Sequence, residues 1–406
     1  MSQVNLLTLN CWGLLAVSKQ RRERIEEIAR RLALCHDHDL VILQELWVES
    51  DFEIIAKAVR PTLPFVKRFY SGILAGPGLA VFSRWPIENS WLFRFPINGR
   101  PSAFWRGDWF VGKSCGSVVI RHPSGAKIEV LNAHMHAPYG PGDANYTCHR
   151  AAQAWEMSRI ARRATEQGHV VFVAGDLNSV PGSVHYELFE HVAGLHDAWV
   201  ARHGEFPGEV KFLCPQDQID LAGVTADSQL NTWRQNYPIE KAKRLDYIFF
   251  DPSRAAPQMV QVAMTEPALG IGSVSDHFGL NAIFEVFATP KLMGDSPNPV
   301  PGRIYDELLA LIANYMPMCE WQSQWRNWHF WGSIAALVGL LVGVWWAAAH
   351  HRGGYIGFIF TLASICITAT GLTNGFIGFL FGRNERRALM EFEDEVLMAK
   401  RALETV

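Results

Sequence analysis

Apolar residues fall into two kinds of run along this chain. Up to about residue 287 the runs are short and end on polar residues; beyond residue 301 they are long. The clearest short run, residues 170–174, leads straight into Gly175-Asp176-Leu177-Asn178. A continuous apolar stretch of that length predicts a buried strand. The glycine, acid and amide at its end predict a loop that lifts polar groups to the sheet edge, where α/β folds gather ligands. Asp176 and Asn178 are two apart, so both can face one side. Gly, Asp and Asn are also turn formers, and taken alone the stretch reads equally as a plain turn.

The other short runs repeat the pattern. Residues 4–9 predict a strand ending at Asn10-Cys11-Trp12-Gly13, and residues 40–43 one ending at Gln44-Glu45. Two short strands flank a glycine-rich turn within residues 65–83. Residues 118–121 and 128–132 form a hairpin around Pro123-Ser124-Gly125, its second strand running into His134-Met135-His136. Further strands are predicted at 246–250 and 282–287, with Ser275-Asp276-His277 between them. Residues 19–34 predict a helix with Ile25, Ile28, Ala29 and Leu32 on one face, and 148–163 predict another. Strands interleaved with helices and hairpins predict one α/β domain of two packed sheets over residues 1–287.

Residues 288–302 carry four prolines with Gly and Ser and read as a linker. Ile304, Leu308, Leu311 and Tyr315 then predict an amphipathic helix over 303–325. Residues 328–349 form an apolar run of 22, residues 350–354 a polar turn, and residues 355–381 a second apolar run. Each is long enough for a hydrocarbon core of about 30 Å, which predicts a transmembrane hairpin over 326–382. Trp328, Trp331, Trp345 and Trp346 stand near the ends of the first span, as interfacial aromatics do. Arg326 precedes the hairpin and Arg383, Arg386 and Arg387 follow it, whereas the turn holds only Arg352. This asymmetry places both termini and the large domain in the cytosol. Gly339/Gly343 and Gly371/Gly375 have the spacing that lets spanning helices approach closely. In residues 383–406, Leu389, Phe392, Val396, Ala399 and Leu403 repeat at heptad spacing. That seam can pack back on residues 304–315, lie on the membrane, or pair two chains; the reading adopted is a homodimer.

Composition narrows the functions. The net charge of −3 supplies no basic field for nucleic acid. The seven cysteines are scattered without CxxC spacing, which fits a reducing compartment and excludes a thiolate zinc site. Polar residues interrupt the N-terminus, so it reads as a strand and not a signal peptide.

Asn10, Glu45, His134, and Asp176 with Asn178 all stand at strand ends, and Asp276-His277 lies in the loop before a strand. Five such positions read as one site built from loops on a rigid scaffold. Glu45 and Asn10 offer hard oxygens, which suit Mg²⁺, with Mn²⁺ as its substitute. His277 is the candidate general base, with Asp276 or Asp246 to orient its ring. His122, His185, His203 and His329 read as ordinary satisfied histidines. Gly107–Ser114 matches the GxxxxGK[ST] phosphate-loop pattern, but aromatics fill the loop and a strand follows it, so nucleotide binding is not expected.

Asn10-Cys11-Trp12-Gly13, Gln44-Glu45, Gly175-Asp176-Leu177-Asn178 and Ser275-Asp276-His277 resemble the marks of the DNase I-like phosphodiesterase superfamily. The whole chain resembles the neutral sphingomyelinases and the fungal inositol phosphosphingolipid phospholipases C. Residues 132–137 and 146–156, the second including His149 and Arg150, are similar to further stretches of that family. The resemblance implies a four-layer αββα sandwich followed by a two-helix membrane hairpin. It implies that Glu45 is the main Mg²⁺ ligand with Asn10 beside it. Asp176 and Asn178 would position phosphate and water, His134 would stabilise the leaving group, and His277 would activate water with Asp276 as support. His136 remains secondary. Asp108 and Lys113 match an acid and lysine that act as a switch in the family. The implied activity is hydrolysis of a membrane phosphosphingolipid to ceramide, activated by anionic phospholipid, at the endoplasmic reticulum or mitochondrial outer membrane. A nuclease or phosphoinositide phosphatase of the same superfamily is the alternative, and a non-catalytic membrane scaffold the reading from another class.

Overall fold

The computed structural model describes residues 2–291 and 300–404, so residues 292–299 of the expected linker lie outside the described residues. The chain divides into two units, residues 1–99 with 106–304 and residues 100–105 with 305–406.

The first unit rests on two six-stranded sheets. One has the order β11-β12-β1-β2-β4-β3, from Ala255–Ala263, Gly279–Val286, Ser2–Asn10, Leu40–Gln44, Ala80–Ser83 and Phe65–Arg68. The other has the order β5-β6-β7-β8-β10-β9, from Ile87–Arg94, Ser114–Arg121, Lys127–His134, Val170–Asp176, Asp246–Phe250 and His196–Asp197. Each sheet contains a parallel pair, β1 with β2 and β7 with β8. Parallel strands finish at the same edge, so Asn10 ends opposite Gln44 and His134 opposite Asp176. The antiparallel β10 starts there, with Asp246 opposite Asp176.

Residues of both sheets meet in one core, including Leu6, Ile42 and Val81 from one and Val130, Phe172 and Ile248 from the other. On the outer face of the first sheet, Leu7, Leu9, Val41 and Leu43 pack with α1 (Arg21–Leu34) and α2 (Glu49–Val59) through Ile25, Ile28, Ile55 and Val59. A helix at Thr147–Glu166 lies along β8 on the second sheet. Strands buried on both faces read as continuous apolar runs, which is why β2, β8 and β10 show so clearly in the sequence. The four layers are those expected. Strands β5 and β11 escape sequence reading because β5 is half-exposed and β11 shifts register between Pro257 and Met259.

A polar bridge crosses the core just beneath the shared edge. Gln44 Nε2 donates to Asn132 Oδ1 at 2.9 Å and to Thr8 Oγ1 at 3.1 Å. Asn132 Nδ2 donates to the carbonyls of Leu43 at 3.0 Å and Ala80 at 3.1 Å. All three side chains are fully buried, so losing one partner would cost about 1–3 kcal/mol for each group left unpaired.

In the second unit, one 48-residue helix spans Gly302–Ala349 with Pro317 inside it, so the expected boundary at 325/326 falls within a continuous helix. Gly354–Phe376 and Arg383–Glu404 follow, joined by a π-helical stretch at Ile377–Gly382. Both helical arms are long and apolar enough to cross a membrane. A Cβ on Gly371 would come within 2.5 Å of Ser333, and one on Gly375 within 2.6 Å of Phe330, so this glycine pair sits where the arms touch. Gly339 faces open space. The C-terminal helix folds back on the first arm: the Tyr315 hydroxyl donates to Glu385 at 2.7 Å, and Arg386 pairs with Glu320 and Lys400 with Asp306. Leu389, Phe392 and Val396 are buried along this contact, as are Leu308 and Ile312. The heptad seam is therefore covered within one chain, which corrects the expectation that it pairs two: its apolar face is already occupied.

Gly175, just before the edge, has φ 140°, and a Cβ there would meet the Ala133 carbonyl oxygen at 2.0 Å. Gly175→Ala is expected to destabilise the first unit by about 3 kcal/mol, through backbone strain and overpacking together. Gly302→Ala, which meets nothing within 4 Å, serves as the control. Thermal melts of the detergent-solubilised chain check this, and equal midpoints for the two variants would count against it.

Candidate active site

The polar edge is assembled from six chain segments under local constraint. Glu45 leaves β2 with φ 53°, Trp12 follows Asn10 with φ 48°, and Asn178 follows β8 with φ 47°. Left-handed backbone is costly for residues with a Cβ and clusters where side chains must be aimed. Gly13 N–H donates to the Glu45 carbonyl at 3.0 Å, and a Cβ on Gly13 would lie 2.3 Å from that oxygen. Only glycine lets the loop after β1 ride on the loop after β2 so closely.

Asn10 Nδ2 donates to Glu45 Oε1 and to Asp176 Oδ2, both at 3.0 Å, while its Oδ1 accepts from Trp12 N–H. His134 Nε2 lies 3.5 Å from Asp176 Oδ2 and 3.9 Å from Glu45 Oε1. His277 Nε2 lies 4.0 Å from the same Asp176 oxygen, and its Nδ1 is 2.8 Å from Asp246 Oδ2. Asp246 also accepts from Thr225 Oγ1 at 2.6 Å. Asp276 points elsewhere and accepts from Arg234 at 2.6 Å. Neighbours on an extended chain face opposite ways, which separates Asp276 from the ring beside it. Asn178 N–H caps Asp176 Oδ1 at 2.9 Å, and its Nδ2 donates to the Met135 carbonyl at 3.1 Å.

A second cluster adjoins this one through that carbonyl. Lys113 Nζ donates to Met135 O at 2.7 Å and lies 3.1 Å from Asp108 Oδ1, with both side chains buried. Asp108 also accepts from the Tyr139 hydroxyl and lies 3.9 Å from His136 Nε2. The His136 ring stacks on Tyr146 at 4.0 Å and lies 5.5 Å from the ring of His149. Arg150 donates to the carbonyls of Asn145 at 2.6 Å and His136 at 3.3 Å. The structure thus gathers Asn10, Glu45, His134, Asp176, Asn178, Asp246 and His277 in one pocket. Asp108, Lys113, His136, His149 and Arg150 stand behind it.

Burial, together with the charge of Asp276, pushes Glu45 up to about 7. Burial also raises Asp176, against the pull of His277. Burial lowers His134 well below its ordinary value, and the Lys113 and His277 charges push the same way, which keeps its imidazole neutral. At His277 burial acts downward, but Asp246 and Asp176 outweigh it and hold the ring well above its usual range. Burial would raise Asp108, but Lys113 overrides it and keeps the carboxyl low. Carboxylates crowded and desolvated in this way are short of positive charge. Their oxygens, with no thiol among them, suit a hard divalent cation. Asp176, Asp246 and His277 also offer ligand atoms within 4.8 Å of one another. However, His277 Nδ1 and Asp246 are already bonded together. The Glu45–Asp176 side, where a single amide serves both acids, gains more from a cation.

Sequence reading passed over several contributors. Arg24 is fully buried and donates to the carbonyls of Cys11, Trp12, Lys19 and Val274, pinning the loops that carry Asn10 and His277. A charged residue one turn before Ile28 on the apolar face of α1 was its visible signal. Thr225 and Arg234 lie in irregular backbone and had none.

Comparison with known proteins gives a consistent result. The endonuclease/exonuclease/phosphatase family matches residues 7–277. The chain is 38% identical to the inositol phosphosphingolipids phospholipase C of Saccharomyces cerevisiae, over 99% of this chain and 91% of that one. It is 30% identical to human (Homo sapiens) sphingomyelin phosphodiesterase 2, over 84% of this chain and 78% of that one. Among solved structures, SmcL aligns with a TM-score of 0.53 at 19% identity, covering 70% of this chain and 99% of its own. A magnesium-bound beta toxin from Staphylococcus aureus aligns at 0.52 and 18%, covering 69% and 99%. The structural likenesses carry the fold and the sequence likenesses carry the lineage: this chain belongs to the endonuclease/exonuclease/phosphatase family of phosphodiester hydrolases, beside the inositol phosphosphingolipid phospholipases C and neutral sphingomyelinases.

Proposed function

We propose that this protein is a membrane-anchored, Mg²⁺-dependent phospholipase C that hydrolyses phosphosphingolipids to ceramide and a phosphorylated headgroup. The observation that carries the reading is the convergence of Glu45, Asp176, His134 and the His277–Asp246 pair in one pocket of a chain so similar to the yeast enzyme. Neutral His277 Nε2 takes a proton from water as the water attacks phosphorus, and Asp246 fixes the tautomer and steadies the imidazolium that forms. Asp176 and Asn178 position the phosphate and the water. His134 offers a neutral N–H to the developing charge on the leaving ceramide oxygen. A magnesium ion held by Glu45, with Asp176 and Asn10 beside it, would supply positive charge to the phosphoryl oxygens. The Asp108–Lys113 pair supports a switch whose closed state ties Lys113 to Met135 O, between the two histidines; anionic phospholipid is the proposed effector. The net charge of −3 weighs against the nuclease alternative.

The proposed layout is a catalytic domain over 1–287, a linker over 288–302, a juxtamembrane segment over 303–325, a spanning hairpin over 326–382 and a terminal helix over 383–406. The arginines flanking the hairpin support a cytosol-facing catalytic domain, at the endoplasmic reticulum or mitochondrial outer membrane. Confinement to the bilayer raises the effective concentration of enzyme toward a lipid that rarely leaves it.

Purified full-length protein with Mg²⁺ is expected to release ceramide from phosphosphingolipid in mixed micelles; no release from any such lipid would overturn the reading. Chelation is expected to abolish turnover and added Mg²⁺ to restore it.

Glu45→Ala is expected to lower kcat/KM by about a thousandfold at saturating Mg²⁺, the order seen when a principal electrostatic group is lost. Full turnover by this variant would remove Glu45 from the metal site.

The raised His277 sets the sign of the pH dependence. The base works only when neutral, so kcat/KM rises with pH through its pKa. Asp246→Asn removes the negative charge that raises that pKa. Its acidic limb is therefore expected at lower pH than the wild type's, with a lower plateau. A pH–rate profile with an unmoved limb would exclude Asp246 as the orienting acid.

A further inference from the structure

The rim beside His277 carries side chains that the hydrolytic steps do not use. His277 pairs through its backbone with Ala226, and Asp227 follows on the rim in left-handed backbone, φ 54°. Lys243 Nζ lies 3.3 Å and Arg234 Nε 3.5 Å from Asp227, and that Nε–H makes no hydrogen bond. Arg234 also bonds Asp276, the residue next to His277. Trp233 is pinned by its Nε1–H to the Ser273 carbonyl at 2.7 Å. Its ring lies 5.4 Å from that of Trp12, tilted by 60°. Both tryptophans are half-buried, so part of each ring is open to a ligand.

Reaction geometry says which part of the substrate this rim meets. The attacking and leaving oxygens of a phosphoryl displacement lie roughly in line. Water activated by His277 thus enters opposite the ceramide oxygen, and groups around His277 cannot reach that oxygen. They face the substituent that stays on phosphorus, which is the headgroup. This step rests on the proposed role of His277.

The chemistry of the rim then selects among headgroups. Asp227 accepts while Arg234 and Lys243 donate, and a ring hydroxyl does both, so a polyhydroxylated ring can bridge them. The C–H face of such a ring packs on indole. A quaternary ammonium has no donor for Asp227 and meets two cations. It would favour an open aromatic face, but the Arg24 guanidinium already lies 4.5 Å over the Trp12 ring. We propose that Trp12, Asp227, Trp233, Arg234 and Lys243 form a headgroup wall that selects a cyclitol-type, polyhydroxylated headgroup over a quaternary ammonium one.

The test uses full-length protein with Mg²⁺ in mixed micelles and two substrates matched in ceramide, inositol phosphoceramide and sphingomyelin. The readout is the ratio of their kcat/KM values. Wild type is expected to favour the inositol lipid. Trp233→Leu and Lys243→Glu are each expected to lower the ratio by about tenfold, chiefly through KM for the inositol lipid, whereas Trp233→Phe keeps it. The Lys243 side chain is 34% exposed and outside the core, so that arm stands even if Trp233→Leu fails to fold. A wild-type preference for sphingomyelin, or an unchanged ratio in Lys243→Glu, overturns the wall. No ceramide from either lipid is a different result: it removes the phospholipase reading itself, and the wall with it.

Discussion

Two sheets must be held in register closely enough for side chains from opposite layers to share one hydrogen-bond donor. Asn10, at the end of β1, gives its amide group to Glu45 of its own sheet and to Asp176 of the other. That arrangement tolerates little sliding. Beneath it the Thr8–Gln44–Asn132 bridge ties the sheets by directional bonds, where apolar packing alone would allow drift. Core packing supplies most of the free energy, roughly 25 cal/mol per Å² of apolar surface buried. The buried amides supply position. The pocket depends on both, because the acids on the second sheet are useful only opposite the acid on the first.

The same closeness creates an electrostatic problem, and the way it is met says what the pocket is for. Glu45, Asp176 and Asp246 are desolvated together with the equally confined Asp276. Uncompensated, such groups would sooner hold protons than charge. Asp246 is relieved by Thr225 and His277, and Asp276 by Arg234. Glu45 and Asp176 are left with one shared amide and a backbone N–H on Asp176. An arrangement that matches two of four acids to proton donors or cations, and leaves the other two side by side, suits a divalent ion better than it suits stability.

Much of this was legible in the sequence, for physical reasons that also explain what was not. Strands buried on both faces advertise themselves, and their polar ends stand out against them; hence Glu45, His134 and Asp176 could be found without coordinates. Choosing between Asp246 and Asp276 as the partner of His277 required the path of the chain. Adjacency in sequence favoured Asp276, whereas the alternation of side chains along extended backbone turns it to Arg234. Asn10 was expected to offer oxygen to a metal, yet its oxygen accepts from Trp12 and its nitrogen faces the acids. The heptad seam showed that one face of the last helix is apolar. It could not show what covers that face, because a segment of the same chain and a second chain bury an apolar stripe equally well.

That cover bears on how the second unit works in its proposed membrane setting. The ion pairs from Arg386 to Glu320 and from Lys400 to Asp306 are exposed, and pairs of this kind contribute about 1 kcal/mol at most. Burial of Leu389, Phe392 and Val396 does more, at roughly 1.5–3 kcal/mol for each fully buried large apolar side chain. Glycines at 371 and 375 let the apolar arms touch where no hydrophobic force operates between helices in lipid, so packing at close range has to hold them. The two ends of the hairpin are therefore secured by different physics, apolar burial where there is water and close van der Waals contact where there is none. A unit closed on itself in both environments can anchor one chain without recruiting a second.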